Sequence, residues 1–497
     1  VSLAVTSPVD RAAGLAVDLE ADLADDLAAD SADDRATAAA QSCLPAPVIR
    51  DHGDQFGRRD VFGPLAEVTG ADLHVPLVDG RTVRYANLDY AASAPALAAV
   101  IADQQRVLPY YASVHRGAGY ASAVSTALFE QSRTTVAEFV GARSDDLTIF
   151  TRNTTDALNL LAGAVPEGAG IVCLDTEHHA NLLPWQRIGA IVLSPAGTLE
   201  DTLRDLEQVL ITARPSLLAI TGASNVTGEV LPIRRFAQLA HRHGVRIAVD
   251  GAQLVPHRKI NMADVGVDYL AFSGHKIYAP YGSGALIGRA DWLDAADPYL
   301  AGGGAVRKVT VEHTDWATGP ARHEGGTPNV LGAAALAAAC RELDRIGDDH
   351  LRRHEWRLRT RLLSRLAAIG AVHVLSIWSD CTDAVGVVGF SVDGYDSGLV
   401  AAYLSAEHGI GVRDGAFCAH PLAARLGVPG GALRASFGAG SRATDIDRLL
   451  AALRSLVTDG PQWSYEIVDG RYQPIDDSRT NPEWITTLAA TPVPCEG

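Results

Sequence analysis

The stretch "FSGHKIYAPYGSG", residues 272–284, is entered from the apolar run Val267-Asp268-Tyr269-Leu270-Ala271-Phe272. Such a run, followed by glycines and a proline, reads as a buried strand that meets a loop. Just past the strand end stands Lys276. The chain has three lysines (Lys259, Lys276 and Lys308) among 42 basic residues, so arginine is its default cation. Lysine differs from arginine in that it can lose its proton and form a Schiff base. Lys276 is therefore either a surface residue after a strand or a residue used for its chemistry.

Upstream the same pattern repeats. "LTIFTR" (147–152), "GIVCLD" (170–175), "LLAIT" (217–221) and "VRIAVD" (245–250) read as strands. Helices fall between them, one capped near Thr154 or Thr155 and one over "RRFAQLAHRHG" (234–244). Short apolar strands alternating with helices predict an α/β fold with a mainly parallel sheet and crossovers. Downstream, 348–369 predicts a long arginine-rich amphipathic helix. Strands near 384–391 and 433–437 and helices near 396–408 and 445–456 predict a smaller α+β unit.

Bulk composition narrows the function classes. At 497 residues the chain is long enough for roughly three domain-sized units. A net charge of -17 argues against general nucleic-acid binding. No apolar run reaches the roughly 18 residues of a membrane span, and no charged-then-apolar signal segment opens the sequence. Six scattered cysteines, at 43, 173, 340, 381, 418 and 495, show no metal-like spacing. They fit reduced thiols in a cytoplasmic protein better than a disulfide framework. Residues 1–41 hold nine acids and two arginines, with Leu15, Leu19, Leu23 and Leu27 in helical register. This acidic arm is either frayed or a helix that docks on its own body or on a partner. Beyond 460, five prolines predict an irregular tail with aromatic anchors at Trp463, Tyr465 and Trp484.

In parallel α/β sheets, ligands bind beyond the carboxyl ends of the strands. Those ends carry Thr154 and Thr155; His178 and His179; Asn225; Asp250 and Gln253; and Ser273, His275 and Lys276. Each has a plain alternative, such as a helix cap for the threonines and a loop pair or partial zinc site for the histidines. Together they match the needs of pyridoxal phosphate: a lysine, an acid for the pyridine nitrogen, a flat stacking partner, a donor for the phenolate oxygen, and hydroxyls at a helix start for the phosphate.

The ordered set "NLDYAASAPAL" (87–97), "VHRGAGYAS" (114–122), "EHHANLLPWQ" (177–186), "SNVTG" (224–228), "VDGAQ" (249–253), "FSGHKIYAPYGSG" (272–284), "EGGTPN" (324–329), "VRDGAFCAHPL" (412–422) and "LRASF" (433–437) resembles the class V aminotransferase-like enzymes of fold type I. Within them it resembles the SufS-type cysteine desulfurase/selenocysteine lyase group. The resemblance implies pyridoxal 5'-phosphate as cofactor and a PLP-dependent transferase fold of type I. It assigns Lys276 to the Schiff base and proton transfer, Asp250 to the pyridine nitrogen and His178 to ring stacking. Gln253 and Asn225 would bond the cofactor oxygen or the substrate. Thr154 or Thr155, Ser273 and His275 would hold the phosphate. Thr327 would reach the phosphate of a neighbouring subunit, which implies a homodimer. Arg434 would grip the substrate carboxylate, His115 would face the substrate, and Arg413 would lie on the loop of the nucleophile, Cys418.

The implied reaction converts L-cysteine to L-alanine and leaves a persulfide on Cys418 for a sulfur-acceptor protein; L-selenocysteine is a second candidate substrate. From its residue type alone Cys418 reads as a small buried side chain. Other class V enzymes (a C–S lyase, an epimerase, an aminotransferase) would not need Cys418, and a non-catalytic scaffold is the remaining alternative. The chain departs from the family at Phe417, where a polar residue is usual, and at Gly438-Ala439-Gly440-Ser441, where a Tyr-Asn-Thr turn is common. The expected organisation is an acidic N-terminal extension (1–80), a large PLP-binding domain (81–330) whose first segment packs on the small domain, a small α+β domain carrying the Cys418 loop (331–459), and a C-terminal tail (460–497).

Overall fold

The computed structural model describes residues 62–485. The acidic arm and its leucine register lie outside the described residues. A seven-stranded sheet forms the centre. Its strands are β1 (Asp146–Thr151), β2 (Ile171–Leu174), β3 (Ile191–Leu193), β4 (Leu217–Thr221), β5 (Arg246–Asp250), β6 (Tyr269–Ser273) and β7 (Gly284–Arg289). Their spatial order is β1-β7-β6-β5-β4-β2-β3. Pairings from β6 across to β3 are parallel, and β7 runs antiparallel to both its neighbours. The α/β architecture with a mainly parallel sheet is as the sequence predicts.

Why these strands read as unbroken apolar runs follows from their two faces. Along β4, Leu218 and Ile220 join one core cluster while Leu217 and Ala219 join another. Both faces are covered, so the usual polar alternation is absent. The helices Leu199–Ala213, Ile233–Arg242 and Val330–Ile346 supply the first cluster; Thr154–Ala164 and Trp185 supply the second.

The predicted cap near Thr154 or Thr155 is one residue early in the structure. Asn153 is the N-cap, and its side chain accepts the Asp156 N–H at 2.9 Å. Asn at this position is worth about 1 kcal/mol over alanine, and the shift frees both threonine hydroxyls for other work. At the start of β7, Gly284 allows the hairpin to press on this helix start. A side chain there would put its Cβ 2.7 Å from the Phe272 carbonyl oxygen and 2.8 Å from Asn153 Cα.

A second, four-stranded sheet has the order β8-β9-β11-β10, with β8 (Val372–Val374), β9 (Val387–Val392), β10 (Arg413–Gly415) and β11 (Ala432–Ser436), all antiparallel. The helices Asp348–Leu366, Ser397–His408 and Ala443–Asp459 pack on it through Leu358, Leu362, Leu404, Ile446, Leu450 and Leu453. The N-proximal strand Ala86–Asn87 joins this unit by parallel pairing with Ile410–Gly411. The Gly438-Ala439-Gly440-Ser441 turn is explained by its neighbours. A Cβ on Gly438 would collide with the Tyr278 hydroxyl, which takes the Ala439 N–H at 2.9 Å.

The tail expectation is corrected in part. Tyr465–Val468 and Arg471–Pro474 form an antiparallel hairpin. Asp469 and Gly470 both have positive φ (50° and 77°), the pattern of a two-residue Asp-Gly turn. Tyr465 and Trp463 do anchor it: the Tyr465 hydroxyl donates to Glu407 (2.9 Å), and the Trp463 indole N–H donates to the Ile475 carbonyl (2.7 Å). Trp484 does not, being 82% exposed.

Candidate active site

Beyond the carboxyl ends of the parallel strands lies a cavity of about 290 Å³. It is lined by Thr154, Thr155, His178, Asn225, Asp250, Gln253, Ser273, His275, Lys276, Arg413, Cys418 and Arg434. These are the predicted site residues apart from His115 and Thr327. In the single chain neither of those two reaches the cavity. His115 is exposed and pairs with Glu130 (3.0 Å) beside the helix Tyr120–Phe139; Thr327 is exposed ahead of the helix Val330–Ile346.

Lys276 ends the single turn Gly274–Lys276 that follows β6 directly. Desolvation in the cavity pushes its amine down to about 8, against the pull of the Asp250 carboxylate. Asp250 closes β5 and is 3% exposed. Burial raises its carboxyl above the usual range, although it accepts the Ala252 N–H at 2.9 Å. A cationic ring N–H brought into the cavity would restore its charge. Gln253 donates to the Ala91 carbonyl (2.7 Å), and its buried side-chain oxygen has no partner.

The His178 Nδ1 accepts the Ala180 N–H at 3.0 Å, which leaves the proton of the neutral ring on Nε2. Burial, then the charge of Lys276, lowers this ring to about 3, so it stays neutral and suited to stacking. At the helix start, the Thr154 and Ser273 hydroxyls lie 2.6 Å apart, and the Thr154 N–H donates to Ser273 Oγ at 2.8 Å. Hydroxyls at the positive end of an 11-residue helix form a natural anion cradle. The cation-seeking Asp250, the neutral His178 ring and this cradle fit a planar, phosphorylated, nitrogen-containing ring.

The opposite wall comes from the second sheet. Arg413 on β10 and Arg434 on β11 are cross-strand partners. Arg434 is 4% exposed, and burial lowers it below the usual arginine range. It donates to Asp89 (3.0 Å) and to the Asn225 carbonyl (3.0 Å). Its Nε has no partner. Cys418 follows on a turn closed by the Ala419 N–H donating to the Ala416 carbonyl (2.9 Å). Phe417 and Cys418 both sit in the left-handed region, at φ 56° and 53°. Each such residue costs on the order of 1–3 kcal/mol, so outside contacts must hold the turn. Asn225 Nδ2 donates to the Phe417 carbonyl (2.9 Å) and the His179 N–H to the Cys418 carbonyl (2.8 Å).

Sequence reading missed Asp89 and His420. Asp89 lies inside "NLDYAASAPAL", where an acid between apolar residues was the available signal. Cys418 is partly buried rather than fully so, unlike Cys173, Cys340 and Cys381. Burial drives the thiol of Cys173 up to about 12 and that of Cys381 likewise, which leaves both inert. Among the described residues no group of three or more His, Cys, Asp or Glu is placed to hold a metal ion, and no helix is long and apolar enough to cross a membrane.

The chain matches the family described as aminotransferase class-V over residues 86–449. It is 38% identical over 394 residues to the cysteine desulfurase of Klebsiella pneumoniae (strain 342), covering 76% of this chain and 94% of that protein. The apo structure of cysteine desulfurase from Thermococcus onnurineus NA1 superposes with a TM-score of 0.70 at 34% identity, covering 75% of this chain and 94% of that one. The Escherichia coli cysteine desulfurase CsdA gives a TM-score of 0.66 at 33% identity, covering 74% and 94%. The fold is thus the type I fold the motifs led us to expect, and the chain belongs to the class V aminotransferase family.

Proposed function

We propose that this protein is a pyridoxal-phosphate-dependent cysteine desulfurase that converts L-cysteine to L-alanine and leaves the sulfur as a persulfide on Cys418. The carrying observation is that Lys276, Arg434 and Cys418 line one cavity from opposite walls. When bound, pyridoxal 5'-phosphate supplies an electron-poor ring that acidifies the substrate Cα–H and accepts the electrons released. Thr154, Thr155, Ser273 and His275 would hold its phosphate, His178 would stack on its ring, Asp250 would take its ring nitrogen, and Gln253 and Asn225 would serve its oxygen or the substrate.

The chain's own groups do the rest. Arg434, oriented by Asp89, takes the substrate carboxylate with Arg413 adding positive charge. Lys276, with an amine lowered to about 8, is neutral often enough near physiological pH to take the α-proton and deliver it to carbon. The Cys418 thiolate then attacks the substrate sulfur. A sulfur–sulfur bond forms as the carbon–sulfur bond breaks, and the electron pair leaves with carbon, which is protonated to alanine.

Three finer readings belong to this proposal. The working unit is a homodimer, in which the exposed Thr327 serves the phosphate of the neighbouring subunit; His115, expected to face the substrate, lies outside the cavity of the single chain. The chain is organised as an extension, a large domain, a small domain and a tail, with the helix Val330–Ile346 packed on the large domain. A persulfide-bearing thiol fits the reducing cytoplasm and a sulfur-acceptor protein.

The test is incubation of purified protein with L-cysteine and a thiol reductant, measuring alanine and sulfide together, with Cys418→Ala alongside. Equal amounts of both from the parent and neither from the variant are expected. A variant that matches the parent overturns the role of Cys418 and points to another class V reaction.

A further inference from the structure

We infer that His179 and His420 form a positioning pair that fastens the Cys418 turn to the loop carrying the ring-stacking His178; the activity arm of this inference rests on the desulfurase reading. His179 meets the turn at the nucleophile and again two residues past it. Its N–H donates to the Cys418 carbonyl at 2.8 Å. Its Nε2 lies 3.0 Å from His420 Nδ1 and 3.4 Å from the His420 N–H. The two imidazoles stack with centroids 4.8 Å apart and planes 22° apart.

The proton positions follow from the partners. Because the His179 Nε2 accepts the backbone N–H of His420, it carries the lone pair. The His420 Nδ1 facing it must then carry the hydrogen and donate. Burial, then the neighbouring His420, lowers His179, which keeps that lone pair available. The bond spans 241 residues and joins the end of the β2 loop to the second sheet's nucleophile loop.

The turn needs such a fastening. Phe417 and Cys418 hold consecutive left-handed conformations that residues with a Cβ resist, so the loop relaxes if its outside bonds are lost. Attack on a substrate sulfur requires a short, aligned approach, and slack of about an ångström is costly. Slack in this turn leaves the Arg434–Asp89 ion pair in place, since those groups sit on β11 and the 87–97 segment, although the guanidinium also lies 5.3 Å from the Phe417 ring of the turn. The pair therefore governs turnover more than substrate affinity.

The experiment uses the cofactor-loaded enzyme as parent, His420→Ala and His420→Asn, with cofactor absorbance certifying the fold. Asparagine places an amide N–H where Nδ1–H stood; alanine has none. The first readout is the rate of Cys418 alkylation by iodoacetamide without substrate, followed by peptide mass spectrometry. The second is kcat and KM for alanine release from L-cysteine.

His420→Ala is expected to alkylate about fivefold faster as the turn opens, and to lose about tenfold in kcat with KM within about twofold. His420→Asn is expected to return both readouts towards the parent. An unchanged alkylation rate or an unchanged kcat in His420→Ala overturns the inference, as does an asparagine variant that behaves like alanine. If His420→Ala does not fold, His420→Gln, whose amide sits one carbon farther out, takes its place. If the parent releases no alanine, the desulfurase reading fails instead, and the alkylation comparison alone decides the pair.

Discussion

The two walls of the cavity are built in different ways. Thr154, His178, Asp250, Ser273 and Lys276 all sit within a few residues of strand ends in one seven-stranded sheet. Ladder hydrogen bonds and two buried faces fix their backbones, so each side chain inherits a position that many contacts determine. Cys418 sits on a loop of the smaller sheet, in a conformation its own residues disfavour, held by a few bonds reaching across from the first wall. The cofactor wall is set by the fold itself, and the sulfur wall by side chains that can let go. On the proposed reading, a nucleophile that reaches a substrate sulfur and then presents it to an acceptor would be better served by the second construction.

The comparison breaks most severely at Lys276. Lys276→Ala removes the one cavity amine with a lowered proton affinity, and alanine formation should fall roughly 10³-fold. Borohydride reduction followed by peptide mapping should find the cofactor fixed on residue 276 in the parent and nowhere in the variant. Retention of more than a few per cent of activity would show that another group moves the proton.

Asp89 sharpens the contrast at the junction of the walls. Its carboxylate is the ionic partner of the buried Arg434. Asp89→Ala leaves the guanidinium on the Asn225 carbonyl without this carboxylate partner, and a lost charge-assisted bond of about 1.5–3 kcal/mol corresponds to a rise in KM for L-cysteine of about tenfold or more. The Cys418 alkylation rate should stay at the parent value, because the turn is fastened elsewhere. An unchanged KM would remove Asp89 from substrate recognition.

Much of the cofactor wall was legible in the sequence because its chemistry repeats with a period the chain displays: apolar run, then polar residues. Both faces of those strands are buried, so the runs stand out. What stayed hidden depends on partners far apart in the chain. Arg434 and Asp89 are separated by 345 residues, and His420 and His179 by 241. No local pattern announces such a pairing; only the meeting of the two sheets creates it. The hairpin in the tail was hidden for another reason. Its Asp469-Gly470 turn is a recognised signal, but the prolines around it outweighed it in a reading by composition. The helix cap at Asn153 was missed by one residue because three capping types stand in a row, and only the geometry selects among them.

The smallest expected effect lies in the pH dependence of stability. His178 titrates near 3 in the folded chain and near 6.5 when unfolded. Between those values the unfolded state binds the proton and the native state does not. Stability is therefore complete above about 6.5 and falls as pH drops towards 3. The ring is partly accessible, so its share stays under about 1.4 kcal/mol per pH unit. Urea unfolding of cofactor-free parent and His178→Gln at several pH values between 4 and 7 should show a shallower loss in the variant. His275, lowered to about 4 chiefly by burial, acts in the same direction and remains in both proteins, so the difference isolates His178. Identical slopes would mean that His178 is as easily protonated folded as unfolded. A cationic ring would be a poor face for a ring paired with Asp250, and the stacking role would pass to another side chain of the same wall.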